Sequence, residues 1–332
     1  TDTERQLREL YALIAHFLPQ LPGSSAMPSW SPAPGQDRRA WEIEVAQIRQ
    51  QHETLALEAG RIIDGAERRY RGRVDRVEFH TIGTGSDAVA ARVYVPEGEG
   101  PHPALLVLHG GAWWMGGGTT CFELNDPLCR RLCDEAQAIV VNLDYRLAPE
   151  HPFPVQLDDT RAALAWMHAD AAGLGIDPAR LGVLGMSSGA NVAASTVRTL
   201  RDEGGPAVLV QVLMMPSLDM TASSPSWQAE PDQREGALRL RQLYLQDVVE
   251  PTDPRVSPLL ADDFSALPPA VVVVATEDTL RDDGKLYAAA LTEAGVQADL
   301  HEFVMTHIGG TDEVNELMNQ AVVAGVRRHL HP

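Results

Sequence analysis

The sequence predicts an α/β protein: an eight-stranded, mostly parallel sheet flanked by helices, with a helical cap. Three observations point there. From residue 74 onward, short apolar runs recur at intervals long enough to hold a helix. Six of these runs (104–109, 138–143, 181–184, 209–214, 270–275 and 299–304) lack polar alternation, as expected of strands covered on both faces. The run at 181–184 passes through Gly185-Met186-Ser187-Ser188-Gly189 into an alanine-rich helical stretch, the signature of a sharp strand-to-helix turn.

At 332 residues, 44% hydrophobic and 22% charged, the chain can bury a substantial core. Its formal net charge of -19 repels phosphate backbones and anionic lipid, and no local basic patch offsets it. Nucleic acid and membrane surfaces are therefore not expected partners. No apolar run reaches bilayer-spanning length and the polar start lacks a signal-peptide hydrophobic region, which predicts a cytoplasmic protein. Cys121, Cys129 and Cys133 are odd in number and lack paired C-x-x-C spacing, so reduced, semi-buried thiols are expected rather than disulfides or a metal site.

Residues 1–70 read as an N-terminal helical cap segment. Leu7, Leu10, Tyr11, Ile14 and Leu18 share one helical face, and Trp41, Val45, Ile48, His52 and Leu55 share another. Residues 19–35 between them are rich in Pro, Gly and Ser, and read equally as a lid or as an extension packed on the core. The strand rhythm occupies 71–332. It opens with runs at 74–79 and 88–95, which Gly83, Gly85 and Asp87 join into a hairpin with antiparallel edges. Residues 217–250 are too long for a simple crossover and read as a cap insertion. It contains a helix with Asp232-Gln233-Arg234-Glu235 as its capping box and Leu240, Tyr244 and Val248 as its apolar face.

Gly185 and Gly189 let strand and helix approach closely around Ser187, so the turn reads as a nucleophile elbow. Acyl transfer by a serine needs a base, an acid to orient that base, and N–H donors for the oxyanion. In an open α/β sheet these partners belong just after the carboxyl ends of strands. After 270–275 comes Thr276-Glu277-Asp278, where Asp278 is the expected acid and Glu277 the runner-up. Asp282 and Asp283 fit better as first-turn acids of the following helix. After 299–304 comes Met305-Thr306-His307-Ile308-Gly309, where His307 is the expected base. His301 lies inside the strand run, and His329 and His331 fall in a fraying C-terminus. After 104–108, His109-Gly110-Gly111-Ala112-Trp113 exposes backbone N–H groups, and Gly110, Gly111 and Ser188 are the expected oxyanion donors. The loop lacks the Lys-Ser/Thr ending of a phosphate-binding loop.

Five stretches together resemble the hormone-sensitive-lipase-like esterases of the α/β-hydrolase superfamily. They are the oxyanion loop, the run Asp144-Tyr145-Arg146-Leu147-Ala148-Pro149-Glu150-His151-Pro152-Phe153-Pro154, the elbow, Asp253-Pro254-Arg255-Val256-Ser257-Pro258-Leu259-Leu260, and Asp278-Thr279-Leu280-Arg281-Asp282-Asp283-Gly284. The resemblance implies a serine carboxylesterase for short- to medium-chain or bulky-alcohol esters, with Ser187, Asp278 and His307 catalytic and an oxyanion hole from Gly110, Gly111 and Ser188. It implies no metal or organic cofactor and a small-molecule ester as partner, with residues 144–154 as a turn supporting the site. The chain departs from the family in Met186-Ser187-Ser188-Gly189-Ala190 for Asp-Ser-Ala-Gly-Gly, and in His307-Ile308-Gly309 for His-Gly-Phe. Ala112 in the third glycine position is associated within the family with room for tertiary alcohols. Amide, lactone or carbamate cleavage, acyl transfer, and a non-catalytic receptor on the same fold are the alternatives. The last strand, at a sheet edge, offers a surface for a homodimer.

Overall fold

The computed structural model describes residues 30–68 and 72–331; the first amphipathic stretch and most of the 19–35 loop lie outside them. The first described helix, α1 (Arg38–Arg68), starts where Asp37 Oδ1 accepts the Ala40 N–H at 3.0 Å, an aspartate N-cap. Strands β1 (Val74–Ile82) and β2 (Val89–Pro96) form the expected antiparallel hairpin. They are followed by β3 (His102–Leu108), α2 (Thr119–Leu124), α3 (Asp126–Glu135), β4 (Ile139–Asp144), α4 (Val155–Ala169), α5 (Ala171–Leu174), β5 (Ile176–Met186) and α6 (Ser188–Glu203). Then come β6 (Val210–Met214), α7 (Pro225–Gln228), α8 (Pro231–Leu245), β7 (Ala270–Ala275), α9 (Arg281–Glu293), β8 (Ala298–Phe303) and α10 (Asp312–Leu330).

The eight strands form one sheet in the order β1-β2-β4-β3-β5-β6-β7-β8. Only the β1–β2 and β2–β4 pairings are antiparallel; β3 to β8 run parallel. Strict alternation divides the interior strands between two cores. Leu106, Leu108, Val183, Val272 and Val274 pack with residues of α4, α6 and α9 on one face. Leu105, Val107, Leu184, Val271 and Val273 pack with residues of α3 and α10 on the other. Because both faces are dry, continuous apolar runs are stable here as strands.

Four local expectations are corrected. Strand β8 alternates, with Leu300 and Glu302 at the surface, because it is an edge strand. The capping box does not form: α8 begins at Pro231, which places Asp232 inside the first turn, and Glu235 pairs with Arg239 instead. Val248 is 59% exposed, since positive φ at Gln246 (41°) and Asp247 (57°) ends the helix before it. The C-terminus is tied down, with His331 Nε2 donating to the Ala136 carbonyl at 2.7 Å. The cysteines are free, as expected, but fully buried, and burial pushes their thiols upward. Among the described residues no helix is long and apolar enough to cross a membrane.

The 144–154 run is anchored to α4 by Arg146. Its guanidinium grips the buried Asp159 carboxylate, with Nη2 to Oδ1 at 2.6 Å, while its backbone N–H donates to Oδ2 at 3.0 Å. Removing one member of such a pair strands the other charge. We expect Asp159→Ala to lower unfolding free energy by about 3 kcal/mol, read from the urea midpoint by tryptophan fluorescence.

Candidate active site

The site lies at the carboxyl ends of β3, β5, β7 and β8. Ser187 sits between β5 and α6 with φ 55° and ψ -116°, a strained conformation for a residue with a Cβ. The two flanking glycines make the bend possible. A Cβ on Gly185 would lie 2.2 Å from the Gly189 carbonyl oxygen, and one on Gly189 would lie 2.4 Å from the carbonyl oxygens of Leu108 and His109. Any side chain at either position would force helix and sheet apart.

The structure brings three of the sequence-derived residues into one hydrogen-bonded row. His307 Nε2 lies 3.0 Å from Ser187 Oγ, and His307 Nδ1 lies 2.6 Å from Asp278 Oδ2. A carboxylate offers only acceptors, so Nδ1 carries the proton and Nε2 presents its lone pair to the serine hydroxyl. Asp278 Oδ1 accepts the Leu280 N–H at 3.0 Å, which fixes the carboxylate plane. The imidazole is held by its own loop: Thr306 and Gly309 exchange backbone hydrogen bonds of 3.1 and 3.2 Å, and Gly309 adopts φ 140°. Glu277 is exposed at the cavity rim, and His301 stays within β8.

The glycine loop after β3 packs directly on the elbow. A Cβ on Gly110 would meet the Met186 carbonyl oxygen at 3.2 Å and Ser187 Cβ at 3.3 Å. Gly111, Ala112 and Trp113 all have positive φ (121°, 51° and 65°), so the loop curls in a way L-residues rarely adopt. Ser188 starts α6, where the first N–H groups of a helix lack intrahelical partners. Gly110 and Ser188 therefore border the serine, and Gly111 continues the loop directly after Gly110.

Side chains outside the sequence-derived set hold this loop. Tyr145 stacks on His109 with centroids 4.0 Å apart and donates its hydroxyl to the His109 carbonyl at 2.8 Å. From α1, Arg49 donates to the carbonyls of Trp114 and Ala148 and pairs with Glu150, while Glu53 accepts the Gly116 N–H at 2.9 Å. Arg49 and Glu53 stand four apart on a helix, a spacing that in sequence looks like a solvated ion pair. Asp283, read as a first-turn acid, is fully buried and accepts from Leu218 N, Asp219 N and Ser224 Oγ. Burial pushes its carboxyl up to about 7, opposed by those hydrogen bonds and by Arg241.

A cavity of about 630 Å³ opens above Ser187, walled by Ala112, Trp113, Trp227, Leu240, Leu280 and Ile308. Among the described residues, only His109, Cys121 and Asp144 converge with ligand atoms within 4.8 Å of one another. They suit a metal poorly: burial holds the Cys121 thiol far from the thiolate form, and His109 Nδ1 is engaged by the Gly110 carbonyl at 2.6 Å.

A family profile for the α/β-hydrolase fold matches residues 105–308. The carboxylic ester hydrolase LipN of Mycobacterium tuberculosis is 38% identical over 265 residues, covering 73% of this chain and 67% of that protein. The chain belongs to the hormone-sensitive-lipase-like family of α/β-hydrolases. The carboxylesterase NlhH of the same organism is 39% identical over 242 residues, covering 70% of this chain and 75% of that one. Among solved structures, the thermophilic carboxylesterase EstE1 from a metagenomic library superposes with a TM-score of 0.76 at 33% identity, covering 87% of this chain and 98% of that one. A bacterial heroin esterase gives a TM-score of 0.78 at 31% identity, covering 97% and 98%.

His109 gives this family member an acid-sensitive point. It is 2% exposed, and burial lowers its pKa to about 4, so it is neutral in the folded state at neutral pH. Above the unfolded value of about 6.5 neither state is protonated. Between there and about 4 only the unfolded chain takes up the proton, so stability is lost as pH falls through that window. We expect the wild type to lose up to about 1.4 kcal/mol per pH unit there relative to His109→Asn, measured by paired denaturation curves from pH 7 to 4. A stability difference independent of pH would exclude the imidazole as the source.

Proposed function

We propose that this chain is a serine carboxylesterase in which Ser187 is the nucleophile, His307 the general base and acid, and Asp278 the residue that orients it. The observation that supports this is the row of 2.6 and 3.0 Å hydrogen bonds ending on a serine in a strained elbow. His307 Nε2 takes the Ser187 proton as Oγ attacks the ester carbonyl. Charge developing on the carbonyl oxygen is met by the N–H groups of Gly110, Gly111 and Ser188. His307 then gives the proton to the departing alcohol, and water, activated by the same imidazole, releases the acid. Every step uses side chains and backbone of this chain, and none calls for a metal or an organic cofactor.

The natural partner under this reading is a small-molecule ester of short to medium acyl length, a size compatible with a cavity of about 630 Å³. Helix α1 and the 217–250 insertion act as the cap: Trp41 and Val45 of α1 cluster with Trp114 and with Leu243 of α8 over the oxyanion loop. The outer edge of β8, last strand of the described sheet, is the surface proposed for a homodimer, and the cytoplasm the proposed location.

We expect Ser187→Ala and His307→Ala each to reduce hydrolysis of p-nitrophenyl butyrate by about 10⁴-fold or more with unchanged urea midpoints. Retained turnover in either would refute the assignment. Ala112 lines the cavity beside Ser187, so tert-butyl acetate should be cleaved measurably; good cleavage of p-nitrophenyl acetate with none of the tertiary ester would remove the bulky-alcohol reading.

A further inference from the structure

Arg241 of α8 lines the same cavity as Ser187, yet it is only 3% exposed and, among the described residues, its Nη1 has no hydrogen-bond partner. Its guanidinium lies over the Trp227 ring, 5.2 Å from the centroid. Trp227 also lines the cavity, and its Nε1 is likewise buried without an acceptor. Two neighbouring buried donors, one of them charged, thus lack an acceptor.

The nearest carboxylates do not fill that role. Asp219 is spent on Thr221 and Ser223, accepting from the backbone N–H and hydroxyl of each at 2.6 to 2.8 Å. Asp283 is spent on Leu218 N, Asp219 N and Ser224 Oγ. Both act on Arg241 through space, and their oxygens are bonded to other donors. The neighbouring Arg234 adds like charge and is itself turned to the carbonyls of Thr221 and Ala222. Other partly or largely buried arginines are matched, Arg146 by Asp159 and Arg49 by Glu150. A buried guanidinium without an acceptor is costly, and a ligand anion is the group that relieves the cost most.

We propose that the preferred substrates are esters bearing a carboxylate, in either the acyl or the alcohol half, which Arg241 and the Trp227 indole N–H hold while Ser187 attacks the ester carbonyl. Half-esters of short dicarboxylic acids and O-acyl hydroxy acids, whose carboxyl stays free, are the matching classes. The chain's formal net charge of -19, and Glu277 at the cavity rim, make this positive group the feature that admits an anion. The inference rests on the esterase reading above and adds the charge of its substrate.

The test compares kcat/KM for charged and neutral members of two matched pairs. Mono-p-nitrophenyl glutarate against its methyl ester probes the acyl half; 4-carboxyphenyl butyrate against its methyl ester probes the alcohol half. We expect the wild type to favour the charged member of one pair, Arg241→Gln to lose about 10- to 100-fold on it while sparing the neutral member, and Arg241→Lys to recover part. Preference for the neutral member in both pairs, or equal losses on both members in Arg241→Gln, would overturn the proposal. Should the glutamine variant not fold, glutarate should inhibit wild-type hydrolysis of p-nitrophenyl butyrate competitively and salt-sensitively, where dimethyl glutarate does not; equal inhibition by both would also overturn it. Hydrolysis of no ester at all would sink the esterase reading instead, and glutarate binding by calorimetry would still report on the anion site, its absence counting against it.

Discussion

The contact on which the rest depends is the close approach of the elbow to β3. Gly189 sits with its Cα against the carbonyls of Leu108 and His109, and Gly185 against Gly189 itself, at separations no Cβ tolerates. That approach turns the chain through φ 55° at Ser187 and lifts the hydroxyl off the sheet. It also brings the glycine loop after β3 to the serine, because the loop starts one residue beyond the strand that the elbow touches. The proposed nucleophile and oxyanion donors thus follow from one packing constraint. The strain at Ser187 is sustained by two buried cores on either side of β5.

A curled loop with three successive positive φ values does not hold itself. Its carbonyls and N–H groups are fastened from two directions: by the 144–154 run through Tyr145 and the Ala148 N–H, which donates to the Trp113 carbonyl at 2.9 Å, and by α1 through Arg49 and Glu53. Trp114 shares one buried cluster with Trp41 of α1 and Leu243 of α8. Helices outside the sheet therefore fix the backbone geometry of the glycine loop as well as walling the cavity. This also explains why a half-buried arginine and glutamate occur on a helix that is otherwise amphipathic.

Much of this was legible in the sequence, for a physical reason. Strands buried on both faces must be continuously apolar, so 270–275 and 104–108 announce themselves, and the functional loops must follow their carboxyl ends. Ser187, Asp278 and His307 could then be sought by position. What stayed hidden depends on partners distant in the chain. Asp283 and Asp282 are adjacent acids with the same local statistics, yet one is sealed under Leu218 and Ser224 while the other stays near the surface with Arg281. The capping box failed similarly: Pro231 satisfies the first helical position without a donor, so the helix starts one residue before the aspartate that the pattern nominates. Arg241 reads as one more charged residue on a helix until its neighbours are known.

Chemistry and recognition are built from different parts of the chain. The residues proposed to react come from loops after β3, β5, β7 and β8, whose positions are dictated by a sheet that tolerates little change. Trp227, Leu240 and Arg241 come from α7 and α8, a segment between β6 and β7 that adds no strand. Their cavity-facing side chains set the charge and size of the wall, while the same segment also braces the loop that carries Asp278, Ser226 Oγ donating to the Thr279 carbonyl at 2.7 Å. The buried guanidinium illustrates the cost of such a wall: desolvation lowers its pKa, and only the distant fields of Asp219 and Asp283 offset this in the free protein. A site that spends stability in this way gains the most from a ligand that supplies the missing charge.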